Sequence, residues 1–269
     1  MNPNPSALLE IAGIRLPLIG FYDAPDASAF QPLVASAPRT QGCIFAFYRR
    51  WLEGETLHIT RENFGCGGAG RSLCGVTTRP REEFIKFLAD DEGLKASREL
   101  MAQWIDAARP YEQEHPNILI GPLRADEYRC LKSVTFFVNP DQLALLMTGA
   151  QYRSRPGDPP PVLAPFGSGC MELAAVFEDL DRPQAVVGAT DIAMRRYLPP
   201  DVLLFTVTKP MFEDLCALDE RSFLYKPFWK RLVKARTKGR RNQRAPSSRS
   251  RSVRARSRSR GRLDEAASR

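Results

Sequence analysis

Apolar residues recur along the chain with two different spacings, and the switching between them predicts alternating strands and helices. Ile14–Tyr22 reads as a strand, with Pro17 pointing to a sheet edge. Glu55–Thr60, Asn117–Leu123, Leu131–Val138, Ala185–Thr190 and Val202–Val207 read as further strands. Leu8–Gly13 reads as a short helix or loop, and Cys43–Leu52 as a helix. Arg81–Asp90 carries Phe84, Phe87 and Leu88 at i, i+3, i+4, the stripe of an amphipathic helix. Leu94–Ala108 continues that period until Pro110 ends it. After Leu131–Val138, Asn139 suits an N-cap and Pro140 a first helical position; Leu143, Leu146, Met147 and Ala150 form the buried stripe. Met171–Leu180, Met211–Leu218 and Phe223–Val233 complete the helices, with loops at Pro25–Pro38 and Arg155–Pro161. The pattern predicts an α/β (or α+β) fold, a mixed sheet with helices.

The order of elements contains a weak internal repeat. Gly42-Cys43, a helix, a strand and a glycine loop resemble Gly169-Cys170, a helix, a strand and Gly188-Ala189-Thr190. Val134–Pro140 with its helix also resembles Leu204–Pro210 with its own. Two half-repeats, roughly 8–125 and 126–222, then share one domain spanning 1–233. Cys43 and Cys170 take comparable positions in them.

The chemistry concentrates in Asn63–Gly75, which holds five of the 18 glycines and two of the six cysteines. Glycines allow φ > 0 and close backbone approach. Successive N–H groups ahead of a helix form a nest for an anion, and a thiol there is shifted toward thiolate. Cys66 is therefore the first candidate for a functional thiol, set against a small buried cysteine in a tight turn. Gly65–Gly70 fits G-x-G-x-x-G in form, but Arg61–Phe64 intervene after the strand and Asp90-Asp91 close a helix, which argues against a dinucleotide fold. Gly70-Arg71-Ser72 lacks the lysine of a phosphate-binding P-loop. Cys43, Cys66, Cys74 and Cys170 could hold a soft metal or an iron–sulfur cluster, though no C-x-x-C spacing is present. His58, on the strand entering the glycine loop, could pair with Cys66. Arg71, Arg195 and Arg196 suit a carboxylate or phosphate.

Charge divides the chain. Its net +8 comes from residues 230–269, where 16 Lys/Arg face two acids; residues 1–229 carry 23 Lys/Arg against 29 acids. The pI therefore gives no reason to read the domain as a nucleic-acid binder. Residues 234–269, with Arg256-Ser257-Arg258-Ser259-Arg260, are expected to be a disordered Arg/Ser tail with weak, salt-dependent affinity for nucleic acid. The N-terminus has no signal-peptide pattern, and the cysteines no disulfide spacing, so a cytoplasmic setting is expected.

Gly42-Cys43, Phe64–Ala69, Asn139-Pro140 with its helix, Gly169-Cys170 and the Leu198-Pro199 segment occur in an order that resembles family 169 of the domains of unknown function. That bacterial and archaeal family has no settled activity. The resemblance covers about residues 8–220. It implies a Gly-Cys in the second half where this chain has Gly188-Ala189, which weakens a four-thiolate cluster.

Three functions follow as expectations. The first is binding of a small anionic ligand or thiolate-held metal cofactor at Cys43, Cys66, Gly67, Gly68, Gly70, Arg71 and Cys170, with Cys43, Cys66 and Cys170 the metal candidates. The others are a thiol enzyme using Cys66 and a nucleic-acid-associated protein acting through the tail. If the halves are symmetric, Cys43, Cys66 and Gly67 or Gly68 line one cavity, with Cys170 near and Cys130 and Cys216 outside.

Overall fold

The computed structural model describes residues 3–35, 43–167 and 169–244, with side chains to residue 236. Gly42 and most of the Arg/Ser segment, residues 245–269, lie outside the described residues. The chain divides into a compact unit, Met1–Leu224, and a second beginning at Tyr225.

The first unit is built on a mixed sheet, eight-stranded among the described residues. Its strands are β1 (Ile19–Ala24), β2 (Leu33–Ala35), β3 (Thr56–Ile59), β4 (Asn117–Pro122), β5 (Leu131–Val138), β6 (Val162–Leu163), β7 (Ala185–Gly188) and β8 (Leu203–Thr208). They lie in the order β2-β3-β4-β1-β5-β8-β7-β6. Replacing each of β1–β4 by its counterpart among β5–β8 converts one half of this order into the other. The pairing repeats too: β2–β3 and β6–β7 are parallel, while the other neighbours are antiparallel. β1 and β5 meet antiparallel at the centre, Gly20 opposite Val134. The two half-repeats therefore form one continuous sheet.

This symmetry sorts the two sequence similarities. Cys43 and Cys170 both precede a 3-10 turn and then β3 or β7, so they are equivalent. Val134–Pro140 and Leu204–Pro210 are not: β5 and β8 are partners within the second half. Their likeness reflects one local solution, an apolar strand entering a helix whose first turn holds a proline.

Side-chain alternation along the sheet separates two faces. Phe136 points to α8 (Lys209–Cys216), with its ring centroid 6.2 Å from that of Phe212. On that face also lie α1 (Ser6–Ala12) and α6 (Pro140–Ala150), the latter with a full capping box between Asn139 and Gln142. Phe137 points the other way, stacked near Trp51 of α2 (Tyr48–Leu52). This second face carries the core that includes Phe21, Trp51, Ile59, Phe64, Leu73, Cys170 and Leu204.

Between β3 and β4 the first half carries an insertion: α3 (Gly67–Cys74), α4 (Arg81–Lys86) with a π-helical turn at Phe87–Asp91, and α5 (Arg98–Ala107). The second half has only α7 (Ile192–Arg195) there. Ile85, Met101 and Ile105 give the insertion its own small core.

Three expectations need correction. Pro17 does not mark an edge, because it precedes β1, which lies in the middle of the sheet. Met171–Leu180 is not a helix; only a 3-10 turn forms at Met171–Leu173, since Glu172 is drawn under the sheet and fixed there. The last helix, expected over 223–233, runs on as α9 (Pro227–Arg244).

Candidate functional site

The glycine stretch folds as a strand-to-helix connection. β3 ends at Ile59, and Phe64 plants a fully buried ring in the core. Gly65 then takes φ +77°, a conformation that disfavours other residues. Cys66 follows as the N-cap of α3, its Sγ accepting a hydrogen bond from the Ala69 N–H at 3.4 Å. Gly75, at φ +65°, closes the helix in the left-handed region. A Cβ at Gly67 would lie 2.6 Å from the Thr78 Oγ1, so glycine lets that hydroxyl approach the first turn.

Above this turn is a cavity of about 400 Å³. Cys43, Cys66, Gly67, Gly68, Arg71 and Cys170 are in its lining, while Cys130 and Cys216 are not. Gly70 is not in the lining either. It is pressed against Phe64, where a Cβ would come within 2.6 Å of the ring, so its role is packing. The first-half insertion contributes Phe84, Phe87, Leu88 and Trp104; the second half contributes Phe166, Thr190, Asp191 and Met194. The sequence marks Phe84, Phe87 and Trp104 only as helix-core residues, because helical spacing does not distinguish a core from a cavity wall.

Positive charge reaches the cavity at three points. Arg71 donates to the Ile105 carbonyl at 2.8 Å and lies 5.7 Å from the Phe84 ring centre. Arg79 and Arg196 are exposed lining residues, stacked on Phe87 and Tyr197. Arg195 is engaged elsewhere, binding the carbonyls of Pro199, Pro200 and Val202 and closing the turn into β8.

The thiols differ from the expected thiolate cluster. Burial pushes the Cys43 thiol up to about 12, and the neighbouring Cys66 adds to this, so Cys43 is a neutral thiol at physiological pH. Cys170 is 4% exposed. Among the described residues, the sulfurs of Cys43, Cys66 and Cys170 do not all three lie within 4.8 Å of one another; the group of three potential ligands that does so is Asp23, Glu114 and His115, elsewhere in the fold. Cys43, Cys66 and Cys170 are therefore not assigned as metal ligands. Nor does His58 serve Cys66, since its Nε2 lies 2.9 Å from Asn117 Oδ1 on the neighbouring strand.

The Asp23 group is a structural bracket. Asp23 is fully buried and accepts from the Tyr111 hydroxyl at 2.7 Å and from the Glu114 and His115 N–H groups at 2.7 and 2.8 Å. Its carboxylate is occupied in tying residues 111–115 to β1. The signal for it was an acid inside an apolar strand.

Glu172 is the other buried acid that sequence reasoning passed over. It is 0% exposed and accepts from the Ala189 N–H at 2.8 Å and the Thr190 hydroxyl at 3.4 Å. Desolvation by burial raises its carboxyl to about 7, partly offset by those bonds. It sits two residues after Cys170, beneath the loop that enters α7.

No helix among the described residues is long and apolar enough to cross a membrane. No curated protein and no solved structure matches the chain. A family model, DUF169 (uncharacterised ArCR), matches residues 10–217. All eight strands and every lining residue named above fall within that match, and the chain belongs to family 169 of the domains of unknown function.

Proposed function

We propose that the domain binds a small ligand with an apolar body and an anionic group, held in the cavity between the first-half insertion and the α7 lip. The observation carrying this reading is that one cavity combines aromatic walls, two exposed arginines and the N-terminus of α3. Phe84, Phe87, Trp104 and Phe166 offer an apolar surface. Arg79 and Arg196 offer charge-assisted bonds to a carboxylate, sulfonate or phosphate. The first-turn N–H groups of α3 add donors.

The test is titration with 1-anilinonaphthalene-8-sulfonate, an aromatic anion that fluoresces when it leaves water. One site per chain is expected, weakened at least tenfold in the Arg79→Gln/Arg196→Gln double variant. Equal affinity in the two proteins refutes the reading.

A second reading, a thiol enzyme, rests on Cys66. Its sulfur is the N-cap of α3 and lines the same cavity, so a bound electrophile would lie beside it. Stoichiometric modification of Cys66 by a small electrophile, lost in Cys66→Ser, tests it.

A further inference from the structure

Glu172 is a buried carboxyl whose described partners include no cation. The groups that donate to it are the Ala189 N–H and the Thr190 hydroxyl and N–H. The charged and titratable side chains on the elements packed around it are engaged elsewhere. On α3, Arg71 gives its guanidinium to the Ile105 carbonyl, and Cys74 is a buried thiol. On β5, Lys132 pairs with Glu114. β7 carries no charge, and Asp191, at the start of α7, repels the ionised form.

What Glu172 holds is unusual backbone. Ala189 takes φ +65°, a region that costs a non-glycine residue energy. Its N–H is fixed by the Glu172 Oε2. Gly188 must be glycine here, because a Cβ would overlap that same oxygen. The next residues, Thr190 to Met194, line the cavity. At the lip's far side, a Cβ on Gly169 would overlap Met194 Sδ, so the lip is seated closely on the Cys170 segment.

The geometry points to Glu172 as the positioning residue of the cavity's second-half wall, its bound proton keeping the 189–194 lip seated and its ionisation releasing it. The sign follows from linkage. A lip that lifts lets water reach the carboxyl, so the open state holds the proton less tightly than the closed one. Raising the pH then favours opening. The upward shift of Glu172 to about 7 puts this change between roughly pH 5 and 8.

This inference deepens the ligand-binding reading, since the lip is part of the proposed site, but its test needs no ligand. Hydrogen exchange of the 186–194 segment is followed by mass spectrometry at pH 5, 6.5 and 8, corrected for the intrinsic pH dependence of exchange. In the wild type, corrected exchange rises at least tenfold from pH 5 to pH 8. In Glu172→Gln, a neutral mimic that keeps an acceptor for Ala189, the change falls below twofold. Asp191→Asn retains a helix-capping side chain and removes the repelling charge, so its midpoint moves to lower pH. That variant decides the matter if Glu172→Gln fails to fold. A flat wild-type profile, or an Asp191→Asn midpoint that does not move, overturns the proposal. Sulfonate titration at pH 5, where the lip is seated, separately tests the cavity: binding there with a flat exchange profile would leave the ligand reading standing and sink the latch.

Discussion

Replacing Glu172 by Gln should stabilise the protein at alkaline pH and leave it little changed in acid. The folded carboxyl titrates near 7, against 4.5 for an unperturbed one. Below 4.5 both folded and unfolded states are protonated, and burial of the acid costs nothing extra. Between 4.5 and 7 the folded state keeps a proton that the unfolded state has lost, so stability falls as pH rises. Above 7 the full cost is present. At about 1.4 kcal/mol per pKa unit, that shift corresponds to roughly 3 kcal/mol. Local opening of the lip would hydrate the ion and reduce the figure, so about 1–3 kcal/mol is expected for Glu172→Gln at pH 8. The assay is urea unfolding of wild type and variant at pH 4.5 and pH 8, followed by tryptophan fluorescence. The difference between proteins isolates this group from the other titrating residues. Equal destabilisation by Gln at both pH values would refute the reasoning, because it would mean that shape, not charge, decides the site.

Gly70→Ala should cost about 1–3 kcal/mol despite alanine's higher helix propensity, since its Cβ would press on the buried Phe64 ring; a thermal melt checks it. Asn139→Ala breaks the capping box with Gln142 on the opposite side of the sheet and should cost about 1 kcal/mol in urea unfolding, with sulfonate affinity unchanged. Cys43 should alkylate slowly at pH 8 and accelerate toward pH 10 and above, as burial keeps its thiol protonated; timed mass spectrometry reads this. Removing residues 245–269 takes eight of the 16 Lys/Arg of residues 230–269 and should weaken heparin retention at low salt while the melting temperature stays within a degree or two. Undiminished retention by the truncated protein would place polyanion binding elsewhere.

Much of the sheet was legible because β5, β7 and β8 are runs rich in apolar and β-branched residues. β2 and β6 were not: three and two residues at the sheet edges carry too little pattern to stand out from a proline-rich loop. The repeat was legible at Cys43 and Cys170 because the same turn precedes the same strand. It misled at Val134 and Leu204, where similar local chemistry arises in strands that pair within one half. In the candidate site, glycine and cysteine types pointed to the α3 turn and its neighbours. They could not indicate that Gly70 faces Phe64, that Arg195 is spent on carbonyls, or that burial holds Cys43 neutral. Those outcomes depend on contacts between residues distant in sequence. Glu172 was missed for the same reason, since its partners Ala189 and Thr190 lie 17 and 18 residues away.

Cysteine footprinting tests the cavity most directly. Wild-type protein is treated with iodoacetamide at pH 8, with and without saturating 1-anilinonaphthalene-8-sulfonate, and modification at each cysteine is read by peptide mass spectrometry. Occupancy of the cavity predicts that the sulfonate slows labelling of Cys66 at least fivefold while Cys130 and Cys216 label at unchanged rates. Unchanged labelling of Cys66 with the sulfonate bound would contradict the account.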